Sequence, residues 1–187
     1  MDRVLEVIRK RRSVRGFKSD PVKKEDLETV LEVAMYAPSA GNRQPWHFTV
    51  ITDGKLINEL SARAKAALAA DRNSPYQQRA ADPNFHLFYH APVVIIVSGA
   101  ESSRLAHTDC AAATQNILLA AEALGLGSCW VNLFLFAFRG EGGEDLPGHL
   151  GIPGGYKPLY SIALGYKVHD NWPVPPRKKE CVTYIDG

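Results

Sequence analysis

Residues 125–131 read Gly-Leu-Gly-Ser-Cys-Trp-Val, and the order of elements around them excludes a doubly wound dinucleotide fold. Upstream, Thr108 to Leu124 is long and rich in alanine and leucine, the clearest helical pattern in the chain. Gly125 and Gly127 stand where such a helix is capped. Downstream, Ser128 to Phe134 reads as a buried strand. A dinucleotide fingerprint has its glycines leave a strand and open a helix; here the pair leaves a helix and enters a strand. Read locally, it is a helix cap. Cys129 lies in an apolar stretch with no charge nearby in sequence to lower its pKa, which argues against a nucleophile.

Working outward, Val93 to Ser98 is an unbroken apolar run after Pro92, the pattern of a strand buried on both faces. His47 to Thr52 and Tyr160 to Tyr166 are further strands. Helical spacing covers Asp2 to Arg12, Lys24 to Ala37 and Leu56 to Asp71. Asn73 to Asn84 reads as an irregular surface excursion. Arg139 to Tyr156 holds seven glycines and two prolines around a short helix at Glu144 to Leu150. Pro173, Pro175 and Pro176 stiffen the stretch from Asn171 to Arg177, and Cys181 to Ile185 reads as a last strand. A tail of this kind has too little apolar surface to pack on itself, so it is expected to cross a partner subunit. With no repeats or linkers, residues 1–187 form a single α+β domain.

Bulk properties narrow the function. The 187 residues carry a net charge of +2, too little to recommend nucleic acid or an anionic membrane as partner. Three cysteines without paired spacing suggest neither a disulfide framework nor a zinc site. No apolar run approaches the ~20 residues of a membrane span. The N-terminus enters an amphipathic pattern at once, unlike a signal peptide, so a cytoplasmic location is expected. Yet Arg9, Lys10, Arg11, Arg12 and Arg15 crowd one end and Arg177, Lys178 and Lys179 the other. Like charges so placed call for an anion between them.

Three segments carry chemistry. Arg11-Arg12-Ser13-Val14-Arg15 offers guanidinium forks and a hydroxyl suited to phosphate, although alone it is read first as a solvated basic helix end. Ala37-Pro38-Ser39-Ala40-Gly41-Asn42-Arg43-Gln44-Pro45-Trp46 combines path-fixing prolines with small residues that let a planar ligand approach the backbone. Asn42 and Gln44 add amides able to read a heterocycle's edge. The third segment is the Gly-Leu-Gly-Ser-Cys-Trp run itself. Taken in order with the basic tail, these segments resemble the nitroreductase family of FMN oxidoreductases over nearly the whole chain.

The resemblance implies a fold with a central, mostly antiparallel sheet flanked by helices, and a C-terminal arm reaching the partner of a homodimer. It implies FMN at the subunit interface, with Arg11, Ser13 and Arg15 on the phosphate and ribityl chain, Arg12 assisting, and Arg177 with Lys178 closing from the far end. Pro38, Ser39 and Ala40 match positions that touch the flavin from the other subunit. Asn42 and Gln44 match positions near the ribityl chain and ring, Asn84 one near the ring edge, and Trp130, Val131 and Asn132 the strand passing the ring. Asn132 and Leu133 depart from the glycine or glutamate usual there. Pro175 replaces a basic residue, and Leu87 stands where a lysine is expected. The activity implied is hydride transfer from NADH or NADPH through the flavin to a small organic acceptor such as a nitroaromatic or quinone, with no protein group as catalyst. The six histidines are read as structural or exposed. Alternatives are a specialised member (flavin-fragmenting enzyme, dehalogenase or azoline dehydrogenase) and a non-catalytic FMN carrier or sensor.

Overall fold

The computed structural model describes residues 3–140 and 142–185. In chain order the elements are α1 (Arg3–Lys10), α2 (Lys24–Met35), β1 (Trp46–Ile51), α3 (Gly54–Ala70), α4 (Gln77–Ala81), β2 (Val93–Ala100), α5 (Ala106–Ala123), β3 (Leu126–Trp130), α6 (Leu146–His149) and β4 (Tyr156–Tyr166). The four strands form one sheet in the order β1-β2-β4-β3, and every neighbouring pair is antiparallel.

Side chains alternate across a strand, so β2 feeds two cores. Val94 and Ile96 pack on the face covered by α3, while Val93, Ile95 and Val97 pack on the face covered by α2 and α5. All of Val94 to Val97 are fully buried, which is why this strand reads as an unbroken apolar run. α5 is buried along Ala113, Ile117 and Ala121. It ends at Gly125, whose φ of +77° is the left-handed conformation of a helix cap.

Several expectations need correction. Gly127 is no cap; it lies inside β3. Residues 132–138 continue as a 3-10 helix instead of a strand. Phe134 and Ala137, three apart, face the core at 1% exposure each, and the apolar residues between them hide that period in the sequence. The excursion at 73–84 contains α4, and β4 starts four residues early. Pro158 disguised that start, and it sits where the β2–β4 register shifts, the irregular place a strand tolerates proline. No strand forms at Cys181–Ile185, since this segment has no sheet neighbour within its own chain. Trp172, in the proline-rich arm, packs against its own chain's core and stacks on His169 at 4.5 Å.

One element lacks a cover. α1 has no buried residue, and Val4, Leu5 and Ile8 are roughly half exposed or more. Together with α2 and α5 it frames an apolar groove of about 350 Å³ lined by Val4, Val7, Ile8, Val33 and Leu119.

Candidate functional site

The basic segment after α1 is fastened along the outer edge of β3. Val14 donates its N–H to the Ser128 carbonyl at 2.9 Å, and Ser13 pairs with Ser128 as an isolated parallel bridge. Val14 is fully buried and fills the space a side chain at position 127 would need: a Cβ there would lie 2.8 Å from Val14 Cγ1. Pinning Val14 inward turns its neighbours Ser13 and Arg15 outward. The glycine that reads as a cap is thus the groove into which the basic segment is pressed.

The guanidiniums divide their work. Arg12 folds back, its Nη1 donating to the carbonyls of Arg9 at 2.6 Å and Arg11 at 2.7 Å, so it caps the end of α1. Arg15 lies 6.0 Å from the centre of the Tyr89 ring. Among the described residues none of Arg11, Arg12 or Arg15 has an acidic partner. Burial raises the Cys129 thiol pKa, while Arg15, Arg11 and Arg79 pull it the other way. Charges absent nearby in sequence are therefore present in space, and burial outweighs them. Arg79, on α4, escaped the sequence reading because its segment looked structureless; its guanidinium lies 4.6 Å from the centre of the Phe85 ring and near enough to Cys129 to act on its thiol with Arg15 and Arg11. Unpaired guanidiniums with a serine hydroxyl are a donor set that fits a dianionic phosphate.

Trp130, Val131 and Asn132 leave β3 beside this cluster. Val131 is tied on both sides to Ser161: its N–H donates to the Ser161 carbonyl at 2.8 Å, and the Ser161 hydroxyl donates to the Val131 carbonyl at 2.6 Å. The Trp130 indole N–H donates to Asn132 Oδ1 at 2.7 Å, which fixes that amide. These bonds hold the course of the backbone here.

The loop from Pro38 to Pro45 holds three left-handed residues, Gly41 (φ +59°), Asn42 (+52°) and Gln44 (+47°). For glutamine this conformation is strained, and three contacts hold it. Gln44 N–H donates to Ser39 Oγ at 3.0 Å, Gln44 Nε2 donates to Asn42 Oδ1 at 3.1 Å, and Ala40 N–H reaches both oxygens of Asp109 at 3.3 Å. Asp109 is only 5% exposed, and its role as the anchor of this loop leaves no mark on the local sequence pattern.

The loop and the arginines do not meet within one chain. β1 and β3 are opposite edges of the sheet, and Ser13 lies outside β3, so the edges are about 19 Å apart at the usual strand spacing. Arg177 is also apart from the cluster. It is exposed, its Nη1 donating to the Pro175 carbonyl at 2.8 Å, and the Lys178 carbonyl accepts from the Cys181 thiol at 3.2 Å. Asn84 is exposed, with its N–H on Asp82 Oδ1, in a groove shared with Asn58, Lys65, His86 and His90. Leu87 is fully buried, so nothing cationic issues from that position.

An antiparallel sheet with helices on both faces, a phosphate-ready arginine segment on its edge and a strained small-residue loop on the other define a cofactor-binding α+β class. The chain belongs to the Nitroreductase family, whose model matches residues 8–166. It is 35% identical over 166 residues (89% of this chain and 86% of the other) to a putative NADH dehydrogenase/NAD(P)H nitroreductase of Archaeoglobus fulgidus. A nitroreductase of Desulfitobacterium hafniense with bound FMN superposes with a TM-score of 0.92 at 32% identity, both chains covered fully. An iodotyrosine deiodinase bound to FMN and 3-iodo-L-tyrosine superposes at 0.76 with 25% identity over 98% of this chain and 99% of that one.

Proposed function

We propose that this chain binds FMN at the seam of a homodimer and is an NAD(P)H-dependent oxidoreductase acting on small organic acceptors such as nitroaromatics or quinones. The observation that carries the reading is the unpaired arginine segment, Arg11 and Arg15 with Ser13, fastened to the strand that leads directly into residues 130–132. When bound, FMN would supply the redox chemistry of hydride transfer between NAD(P)H and the acceptor. The protein's part is to hold and orient. Arg11, Arg15 and Ser13 bind the phosphate, with Arg79 completing the cationic wall. The path held at Val131 and the fixed Asn132 amide set one side of the ring's slot.

The second side must come from another copy. Pro38, Ser39, Ala40, Asn42 and Gln44 lie on the far edge of the same sheet, so a single chain presents the two halves to different places. Two copies joined through the uncovered face of α1, α2 and α5 would bring one half of each together. The exposed arm bearing Arg177 and Lys178 would then close over the partner's phosphate. Asn84 is assigned to the ring edge on the same reading.

The test is direct. The purified protein should be yellow and release FMN on denaturation, and anaerobic NADH or NADPH should bleach it within the dead time of mixing. Lasting colour would favour a carrier or sensor, and a colourless chain would remove the reading altogether. Similarity to the deiodinase favours a second reading, reductive removal of halogen from a phenol. Rapid turnover of iodophenols without turnover of nitroaromatics or quinones would select it.

A further inference from the structure

The strained loop borders a second cationic groove, separate from the arginine segment. About 560 Å³ of space lies between Ala40, Gly41 and Arg43 on one wall and Ser102, Ser103 and Arg104 on the other. Arg43 follows two left-handed residues, Gly41 and Asn42, so the loop's unusual course is what aims it there. Arg104 comes from the turn between β2 and α5, which is braced by the Glu101 N–H on the Gly155 carbonyl and the Ser103 N–H on the Ala100 carbonyl. Among the described residues neither arginine has an acidic partner. The acidic group in contact with this loop is Asp109, whose oxygens take the Ala40 N–H from within the core. Two guanidiniums and two hydroxyls around one groove form a receptor for a tetrahedral dianion.

We infer that this groove receives the 2′-phosphate of NADPH, which makes the chain selective for that donor over NADH. The inference rests on the proposed function, since it requires a nicotinamide donor at the ring beside Ala40. Ala40 and Gly41 line the groove themselves, so it adjoins the place that the proposed function gives the ring. The phosphate monoester is the only group that distinguishes NADPH from NADH, and paired arginines are the side chains that grip such a group bidentately. Arg43 and Arg104 are specificity residues, with no part in the transfer itself.

The experiment compares the FMN-loaded protein with its Arg43→Ala/Arg104→Ala variant. Calorimetry with adenosine 2′,5′-bisphosphate and with 5′-AMP reads the groove without turnover. The bisphosphate should bind the wild type about tenfold more tightly, as expected for charge-assisted bonds at an exposed site, and the difference should vanish in the variant. The ratio of kcat/KM for NADPH over NADH should fall by about the same factor, with Arg104→Lys recovering part of it. Equal binding of the two nucleotides by the wild type overturns the inference. So does an equal loss for NADH and NADPH, which would assign the groove to the shared pyrophosphate. A chain that purifies without FMN sinks the proposed function instead, and the nucleotide comparison on that same chain still decides the groove.

Discussion

Gly127 and Val14 occupy one another's space. Adding a methyl at 127 would bring it within 2.8 Å of Val14 Cγ1 and 3.0 Å of Lys167 Cγ, in a strand with no room to yield. Gly127→Ala should therefore cost about 1–3 kcal/mol, the range for overpacked cores, read as a lower urea midpoint. Because the displaced residue carries Ser13 and Arg15 with it, FMN content should fall in the same variant, more than after an equally destabilising change in the α3 core. His86 is a residue of another kind. Burial, with His90 and Lys65 adding repulsion, drives its pKa down from 6.5 to about 4. The imidazole is held neutral: Nδ1 accepts from the N–H groups of Phe88 and His90, both at 3.2 Å, and Nε2 faces Asn58 Oδ1 at 3.0 Å. The unfolded chain takes up this proton near pH 6.5 and the folded one only near 4, so stability is undiminished above 6.5 and is lost as the pH falls between them. Thermal melts should show wild type losing more Tm than His86→Gln across that window; parallel curves would refute the assignment.

At the scale of elements, α1 is the one that cannot be explained by its own chain. Its apolar residues Val4 and Ile8 are four apart on one stripe yet 62% and 48% exposed, and an eight-residue helix without tertiary cover is not stable in water. Burying that stripe against a second copy, as in the proposed dimer, would resolve the conflict. Ile8→Glu should shift the protein from dimer to monomer in sedimentation and strip it of FMN together; a monomer that keeps its FMN would separate the two roles. The 3-10 helix at 132–138 shows where patterning misleads. Asn-Leu-Phe-Leu-Phe-Ala-Phe is apolar enough to pass for a buried strand, and only the packing of α3 against it selects the residues that turn inward. Trp172 is placed in a related way. A tryptophan in a proline-rich arm looks like an anchor for something foreign, but Gly16 leaves a hollow on the chain's own surface, with the indole 3.6 Å from where a Cβ would sit.

Across the whole molecule, the sheet order explains why the candidate site is divided. The registers place Trp130, at the end of β3, level with Val50 near the end of β1, by way of Ile162 and Ile95, while Trp46 at the start of β1 is level with Lys157. The two halves of the candidate site are thus separated across the sheet and offset along it, and the proposed dimer would join them by symmetry instead of by movement within one copy. The sequence by itself determined the α+β class, three of the four strands to within a few residues and the long α5. Those features are written in short-range patterns: period and turn residues. Tertiary structure alone decided that Gly127 is a groove for Val14, that Asp109 holds the loop from Pro38 to Pro45, that Arg79 comes near Cys129 and that Arg12 folds back onto the end of α1. Each of these depends on which residues, distant along the chain, fill the same few ångströms, and no local pattern encodes that.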